Sequence, residues 1–448
     1  MGAESIDLID RRDVTAALLL RPLDWRVRAV EQLVIESATS CRRARSLQSA
    51  PLAPVLGSVV DLAEAERAWV ALNVAPMPRG PLFDFNIEGP FGQASLLPRP
   101  EIASREAVFI GELADAAGVS PAPMVSSLLS VALGFTADDW SVKSEADLAR
   151  YLNDGIGDDL PDEFVTAWYR LGKDTSGVLS HRSDFPDEVT AIFSPALAVP
   201  ELLSAGILSS LEEADEVLVD YRDWLLKLES SADAHGEGSI AGDVLNSLAD
   251  YAGSYDLIVA LEVPLTLPFV VKYSERRSLR VATWGNGASQ SLVIADAQTN
   301  HVSVQIEDPN VRLRDVHAVN SEYDEAYGTF TTRQSQQIHA FYAHGLDRDY
   351  RVDLQFRLSL LPRLLVVPYV VAATLVALAF GLGFSAVNKL SDATLVVGPA
   401  GLAASILLTR EPSTLGTRLR LVSSGVVLLS YIGLVVVAGV KYWLDYKR

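Results

Sequence analysis

Six histidines, one cysteine and two clusters of like charge are the side chains from which this sequence could build a reactive site. His301 and His339 fall inside runs that read as strands, where two imidazoles facing each other across a sheet could hold a metal ion. With no cysteine near them and no close pairing along the chain, ordinary polar strand positions are the competing account, and no metal or cofactor is expected. The run NDGIGDDLPDE supplies Asp154, Asp158, Asp159, Asp162 and Glu163 with two glycines. Calcium takes such oxygens, but the spacing misses the alternate-position loop that closes on a glutamate at twelve, so a solvated loop between helices is expected. The run SCRRARS places Arg42, Arg43 and Arg45 together in an otherwise acidic chain. Projecting from one edge, they would dock on anionic lipid headgroups at about 1 kcal/mol each; turned inward, they would be partners for the acidic excess. No P-loop, GxSxG, HExxH or CxxC motif is present, and Gly285-Asn286-Gly287 lacks both the third glycine and the following helix of a dinucleotide site. No catalytic residue is assigned.

These residues hang on a chain whose period changes abruptly near its C-terminal end. Val352, Leu354, Phe356 and Leu358 alternate with Arg351, Asp353, Gln355 and Arg357, the two-residue repeat of a half-buried strand. Beyond Pro362 the alternation stops, and residues 364–384 carry no charge. About 20 apolar residues cross a bilayer as a helix. Two further apolar segments follow, near 393–409 and 421–440, the first shorter and interrupted by Gly398, Pro399 and Gly401. Three spans are expected, because close-packed small residues accommodate a proline where neighbouring helices satisfy the backbone. Trp443 and Tyr442 suit an interfacial belt, whereas Trp25, Trp69, Trp140, Trp168, Trp224 and Trp284 read as core.

The remaining chain divides by pattern. Residues 1–99 read as a first β-rich region, with strand-like runs at 16–20, 55–60, 68–74 and 82–87. Residues 100–253 are helical, residues 254–359 form an antiparallel β-sandwich-like region with a hairpin at Asn286-Gly287, and residues 360–448 form the transmembrane unit. The expected fold class is therefore mixed: two β-sandwich-like regions flanking a helical one, then membrane helices.

Charge fixes the compartment expected. Lys and Arg total 37 against 57 Asp and Glu, a net charge of −20 over 448 residues, which repels nucleic acid and anionic surfaces alike. The single Cys41 forms no internal disulfide, and the start of the chain lacks the basic, long-apolar pattern of a secretory signal. Seven arginines (Arg348, Arg351, Arg357, Arg363, Arg410, Arg418, Arg420) flank the membrane on the domain side, against Lys389, Lys441, Lys447 and Arg448 opposite. Basic flanks mark the cytoplasmic side, so the large domain is expected inside the cell at the inner membrane, with Arg351, Arg357 and Arg363 at the membrane boundary. The function expected is a non-enzymatic binding, scaffold or sensor protein in a membrane assembly, with a protein partner or self-association and no identifiable small-molecule ligand. The alternative is an oligomeric pore gated by the domain, which the absence of ionisable residues inside the spans disfavours.

Overall fold

A computed structural model describes residues 5–446 except 63–64, 79–81, 136–141, 143, 158–159, 181, 183–193, 237, 282–286, 296, 320–328, 335–337, 345–349, 385–389 and 410–413. The N-terminal region runs β1 (Ser5–Asp7), α1 (Arg12–Leu20), α2 (Pro22–Trp25), β2 (Arg26–Ile35), β3 (Ser40–Ser49), α3 (Ala53–Leu56), β4 (Arg67–Pro78), β5 (Phe83–Gly89), β6 (Gly92–Gln93) and β7 (Ser95–Leu96). The helical region holds α4 (Arg99–Ala116), α5 (Pro123–Ala132), α6 (Glu145–Ile156), α7 (Asp162–Ser180), α8 (Val199–Ser204), α9 (Leu211–His235) and α10 (Ile240–Gly253). Strands return as β8 (Ser254–Pro264), β9 (Phe269–Ser278), β10 (Arg280–Val281), β11 (Gly287–Ala295), β12 (Thr299–Ile306), β13 (Val311–Val319), β14 (Thr329–Gln334), β15 (Ile338–His344) and β16 (Tyr350–Leu360). Three helices close the described chain: α11 (Pro362–Phe384), α12 (Leu390–Thr409) and α13 (Thr414–Tyr446).

The architecture is mixed α/β, and its sheets cut across the regions drawn from the sequence. One sheet has the order β1-β4-β8-β7, a second β10-β11-β16-β13, and a third, of eight strands, β14-β15-β12-β2-β3-β9-β5-β6. Strands from residues 1–99 and 254–359 thus lie side by side in place of two separate sandwich-like units. Nor is the pairing wholly antiparallel, since β2 runs parallel to β12 and β1 to β4. The helices between them have their own core, centred on Trp168, Tyr221, Trp224 and Leu225.

Two apolar runs expected as strands, 16–20 and 55–60, hold no strand: the first lies in a helix, and the second begins in one and ends in a turn. Residues 12–20 form α1, which buries Val14, Thr15, Ala16 and Leu18; its alanines and leucines favour helix, and a short apolar run cannot be assigned by period alone. Residues 53–56 form α3, with a proline in its first turn. Helix starts are where local chemistry predicts them. Ser144, Ser210 and Ser239 each accept a backbone N–H from the third residue on, and Gly157 at φ +82° closes α6. The Arg280–Ser289 and Val281–Ala288 pairs align β10 and β11 antiparallel as the Asn-Gly signal requires, although Asn286 lies outside the described residues. Of the tryptophans assigned to the core, Trp25, Trp168 and Trp224 are buried and Trp69 is 39% exposed, while Trp140 and Trp284 lie outside the described residues.

Candidate functional site

The inward face of the eight-stranded sheet changes character along its length. On β2 the positions Ala29, Glu31, Leu33 and Ile35 are buried, and on β3 so are Cys41, Arg43, Arg45 and Leu47, two-residue spacing selecting one face. Ala29 and Leu47 belong to the core shared with the β1-β4-β8-β7 sheet, whereas Leu33, Ile35 and Cys41 belong to the core shared with the β10-β11-β16-β13 sheet. Between these apolar ends lies a band of charge. Arg43 holds Glu31 through two bonds, Nη2 to Oε1 at 2.6 Å and Nε to Oε2 at 3.2 Å, and Arg45 Nη1 reaches the same Oε1 at 2.7 Å. The Arg43 Nη1 lies 3.5 Å from Glu275 Oε1, which also receives Arg277 Nε at 2.6 Å. Burial alone would lower the pKa of Arg43; the charges of Glu31, Tyr273 and Glu275 outweigh it and raise it. The guanidinium sits 5.6 Å from the Tyr273 ring centre, and burial pushes the Tyr273 phenol up as well. Nearby, burial pushes the Cys41 thiol up to about 12, so it is no nucleophile at neutral pH.

A second buried network lies where the helical region joins the sheets. Asp256 on β8 accepts Asn73 Nδ2 at 2.8 Å and the Tyr251 hydroxyl at 2.6 Å, and its own N–H donates to Glu106 Oε1 at 2.8 Å. Arg99 approaches Glu106 at 3.5 Å and stacks 4.3 Å from the Tyr255 ring, while Arg26 donates to the Asn73 carbonyl at 2.9 Å. A register shift between Asn73 and Pro76 interrupts the β4–β8 pairing at this point, as a bulge does where it re-aims side chains. Burial raises the Asp256 pKa, opposed by the Tyr251 and Asn73 hydrogen bonds and the Arg26 and Arg99 charges. A carboxyl so perturbed is a raw material of acid–base catalysis. Here Asp256 is 8% exposed and Glu106 0%, which closes the pair to substrate. What it does instead is tie α4 and α10, the first and last helices of the helical region, to β4 and β8.

The third feature is the junction with the apolar helices. Leu361 N–H donates to the Asn310 carbonyl at 3.0 Å, so the sheet's hydrogen bonding persists to the residue before α11. Leu415, in the first turn of α13, is fully buried in the core formed by Leu33, Ile35, Val302, Leu313, Leu358 and Leu360, with Leu419 packed against it. Two stretches, Val366–Phe384 and Ser423–Leu444, are long and apolar enough to cross a membrane; the apolar part of α12 within the described residues, Thr394–Ser405, is shorter. An apolar cavity of about 570 Å³ opens between α11 and α13, lined by Val376, Phe380, Gly383, Leu429 and Gly433 among others.

The residues singled out from sequence scatter. Arg43 and Arg45 do not project from an edge: both are 1% exposed and bound to Glu31, which corrects their placement against headgroups. Arg42 is on the surface, 3.2 Å from Glu36. Arg351 and Arg357 lie on β16 and Arg363 in the first turn of α11. The strand register sets His301 opposite Tyr342 and His339 opposite Val304, so the two histidine positions do not face each other. Asp154 lies in the last turn of α6, and Asp162 and Glu163 open α7; Asp158 and Asp159 lie outside the described residues. Sequence reasoning missed Glu31, Glu275, Asp256 and Glu106. The signal for Glu31 was there, a carboxylate at an inward position between Ala29 and Leu33.

Comparison with protein-family models, with curated proteins and with solved structures finds no match. Function has to be read from geometry alone.

Proposed function

We propose that the protein is a membrane-anchored, non-enzymatic binding or sensor protein whose acidic domain sits at the cytoplasmic face of the inner membrane, rigidly joined to three spanning helices within a larger assembly. The observation that carries this is Leu415. Because the first turn of α13 is packed in the domain core, α12 has to bring the chain back from the far end of α11 to the domain side. Its 20 residues make a helix of about 30 Å, the thickness of a bilayer core. The 33 residues of α13 span about 50 Å, so one helix runs from the sheet core through the bilayer. A sheet bonded up to Leu361 and a helix continuous from Leu415 give two stiff connections, which transmit a shift of the domain where a flexible tether would absorb it. The basic flanks support the cytoplasmic side.

A cysteine introduced at Ser5, and another after Lys447, are tested with a membrane-impermeant maleimide in whole cells. The expected outcome is labelling of the second alone. Labelling of Ser5→Cys overturns the orientation, and protection of both overturns the three-span count. Inserting about ten Gly/Ser residues between Ser359 and Pro362 then tests the rigid joint: insertion into the membrane persists while co-purification with a partner weakens. Full retention of the partner would reduce the domain's requirement to proximity.

A further inference from the structure

We propose that the outer face of the β13–β16 ladder binds the phosphates of anionic lipid headgroups through Arg312, Arg314 and Arg357. This rests on the membrane reading above. In the ladder Val311 is opposite Leu360, Arg312 opposite Ser359, Leu313 opposite Leu358 and Arg314 opposite Arg357. Leu313 and Leu358 are buried in the core beside Leu415, so strand alternation turns their neighbours Arg312, Arg314 and Arg357 to the other face. Arg314 and Arg357 are exposed and Arg312 half-buried. Like charges directly opposite each other across a ladder destabilise it, yet this chain of net charge −20 sets two arginines on one rung with a third two residues away. Neither Arg312 nor Arg314 has an ion pair among the described residues; Arg312 Nε donates to the Ser359 hydroxyl at 3.3 Å.

Position names the occupant. The ladder's last hydrogen bond is Leu361 to Asn310, and α11 starts at the next residue. At ~3.3 Å per residue the arginines stand roughly 7–13 Å above that point, and an arginine side chain spans about half of this. A headgroup layer begins outside the hydrocarbon, and charge is felt over a Debye length of about 8–10 Å. Phosphates of the bilayer are therefore the anions this face meets. Contact with headgroups, first suggested by Arg42, Arg43 and Arg45, passes to arginines the fold sets beside the membrane.

The full chain, purified in neutral detergent, is examined by native mass spectrometry with dioleoyl phosphatidylglycerol and with dioleoyl phosphatidylcholine. The expected result is preferential retention of the anionic lipid. Each Arg→Gln substitution lowers that retention about fivefold, and Arg312→Gln/Arg314→Gln/Arg357→Gln abolishes the preference, whereas the triple lysine variant keeps it. Equal retention by the triple glutamine variant overturns the proposal, as does displacement of the lipid by millimolar inorganic phosphate, which would make this a site for the free ion. If the triple glutamine variant does not fold, Arg314→Glu alone carries the test and has to lose more than fivefold. Resistance to alkaline carbonate extraction separates the two claims. Extraction from membranes sinks the membrane reading, while an unextractable protein with no lipid preference sinks only the arginine site.

Discussion

Replacing Glu31 with alanine removes the carboxylate shared by two guanidiniums, Arg43 and Arg45, each 1% exposed between apolar cores. Breaking a buried pair from one side costs about 3–5 kcal/mol, because the cost is that of an uncompensated buried charge. Glu275 remains 3.5 Å from Arg43 and offsets part of it. A domain holds about 5–15 kcal/mol in all, so the loss is a large share, equivalent to roughly 6–20 °C in Tm for a domain of this size. The assay is thermal unfolding of the full chain in detergent, followed by near-ultraviolet circular dichroism. Arg42→Gln, on the surface pair with Glu36, is the control and moves Tm by no more than about 2 °C. Replacing the triad together, Glu31→Leu with Arg43→Met and Arg45→Leu, recovers most of the loss, since apolar residues of similar volume substitute well for a buried ionic cluster. A Glu31→Ala protein melting within about 2 °C of the wild type would refute the reasoning, for it would mean that the two arginines reach solvent or another carboxylate at little cost.

Three more outcomes rest on the same buried groups and the helix junction. The pKa of Asp256 is raised in the fold by burial, so its contribution to stability is complete below the unfolded value of about 3.9 and is lost as pH rises through the folded value; the Tm of the wild type minus that of Asp256→Asn should fall as pH rises above about 4, and a constant difference would contradict it. Cys41 is fully buried with its thiol pushed up to about 12, so wild-type protein should take up maleimide only on unfolding, as followed by mass shift against denaturant; rapid labelling of native protein would contradict it. Leu415→Ala should destabilise the domain by about 2–5 kcal/mol, whereas Leu429→Ala, at 70% exposure on the same helix, should leave the domain melt unchanged; equal effects would place Leu415 outside the core.

Much of the local structure was legible because it depends on neighbours in sequence. The strict alternation of 351–358 marks a strand, and the uncharged run 364–384 marks a helix suited to lipid. The failures are of two physical kinds. Residues 16–20 and 55–60 are apolar runs too short for a period to declare itself, and α1 and α3 form there instead of strands. Pairing is the other kind: nothing in residues 26–35 says that their parallel partner lies at 299–306, or in 67–78 that their antiparallel partner lies at 254–264. The candidate site suffered from the second failure. Arg43 and Arg45 were visible as a basic run, but whether a two-residue pair faces lipid or core depends on Glu31 and Glu275, which only sheet register brings beside them.

The β4–β8 ladder carries a consequence for how the chain is made. About 190 residues separate Trp69 from its rung partner Glu262, and the entire helical region is synthesised between them. At ~5–20 residues per second, β4 waits roughly 10–40 s on the ribosome for the strand that satisfies its backbone. Val70, Leu72 and Val74, fully buried in the finished sheet, are uncovered meanwhile. The helices made in that interval have mostly local contacts and fold fast, so the helical region matures first and Asp256 arrives afterwards to clamp it to a waiting strand. Newly made chains should therefore depend on a holding chaperone over this window, and the apolar helices emerge from the ribosome only after the sheet that meets them has its central strands.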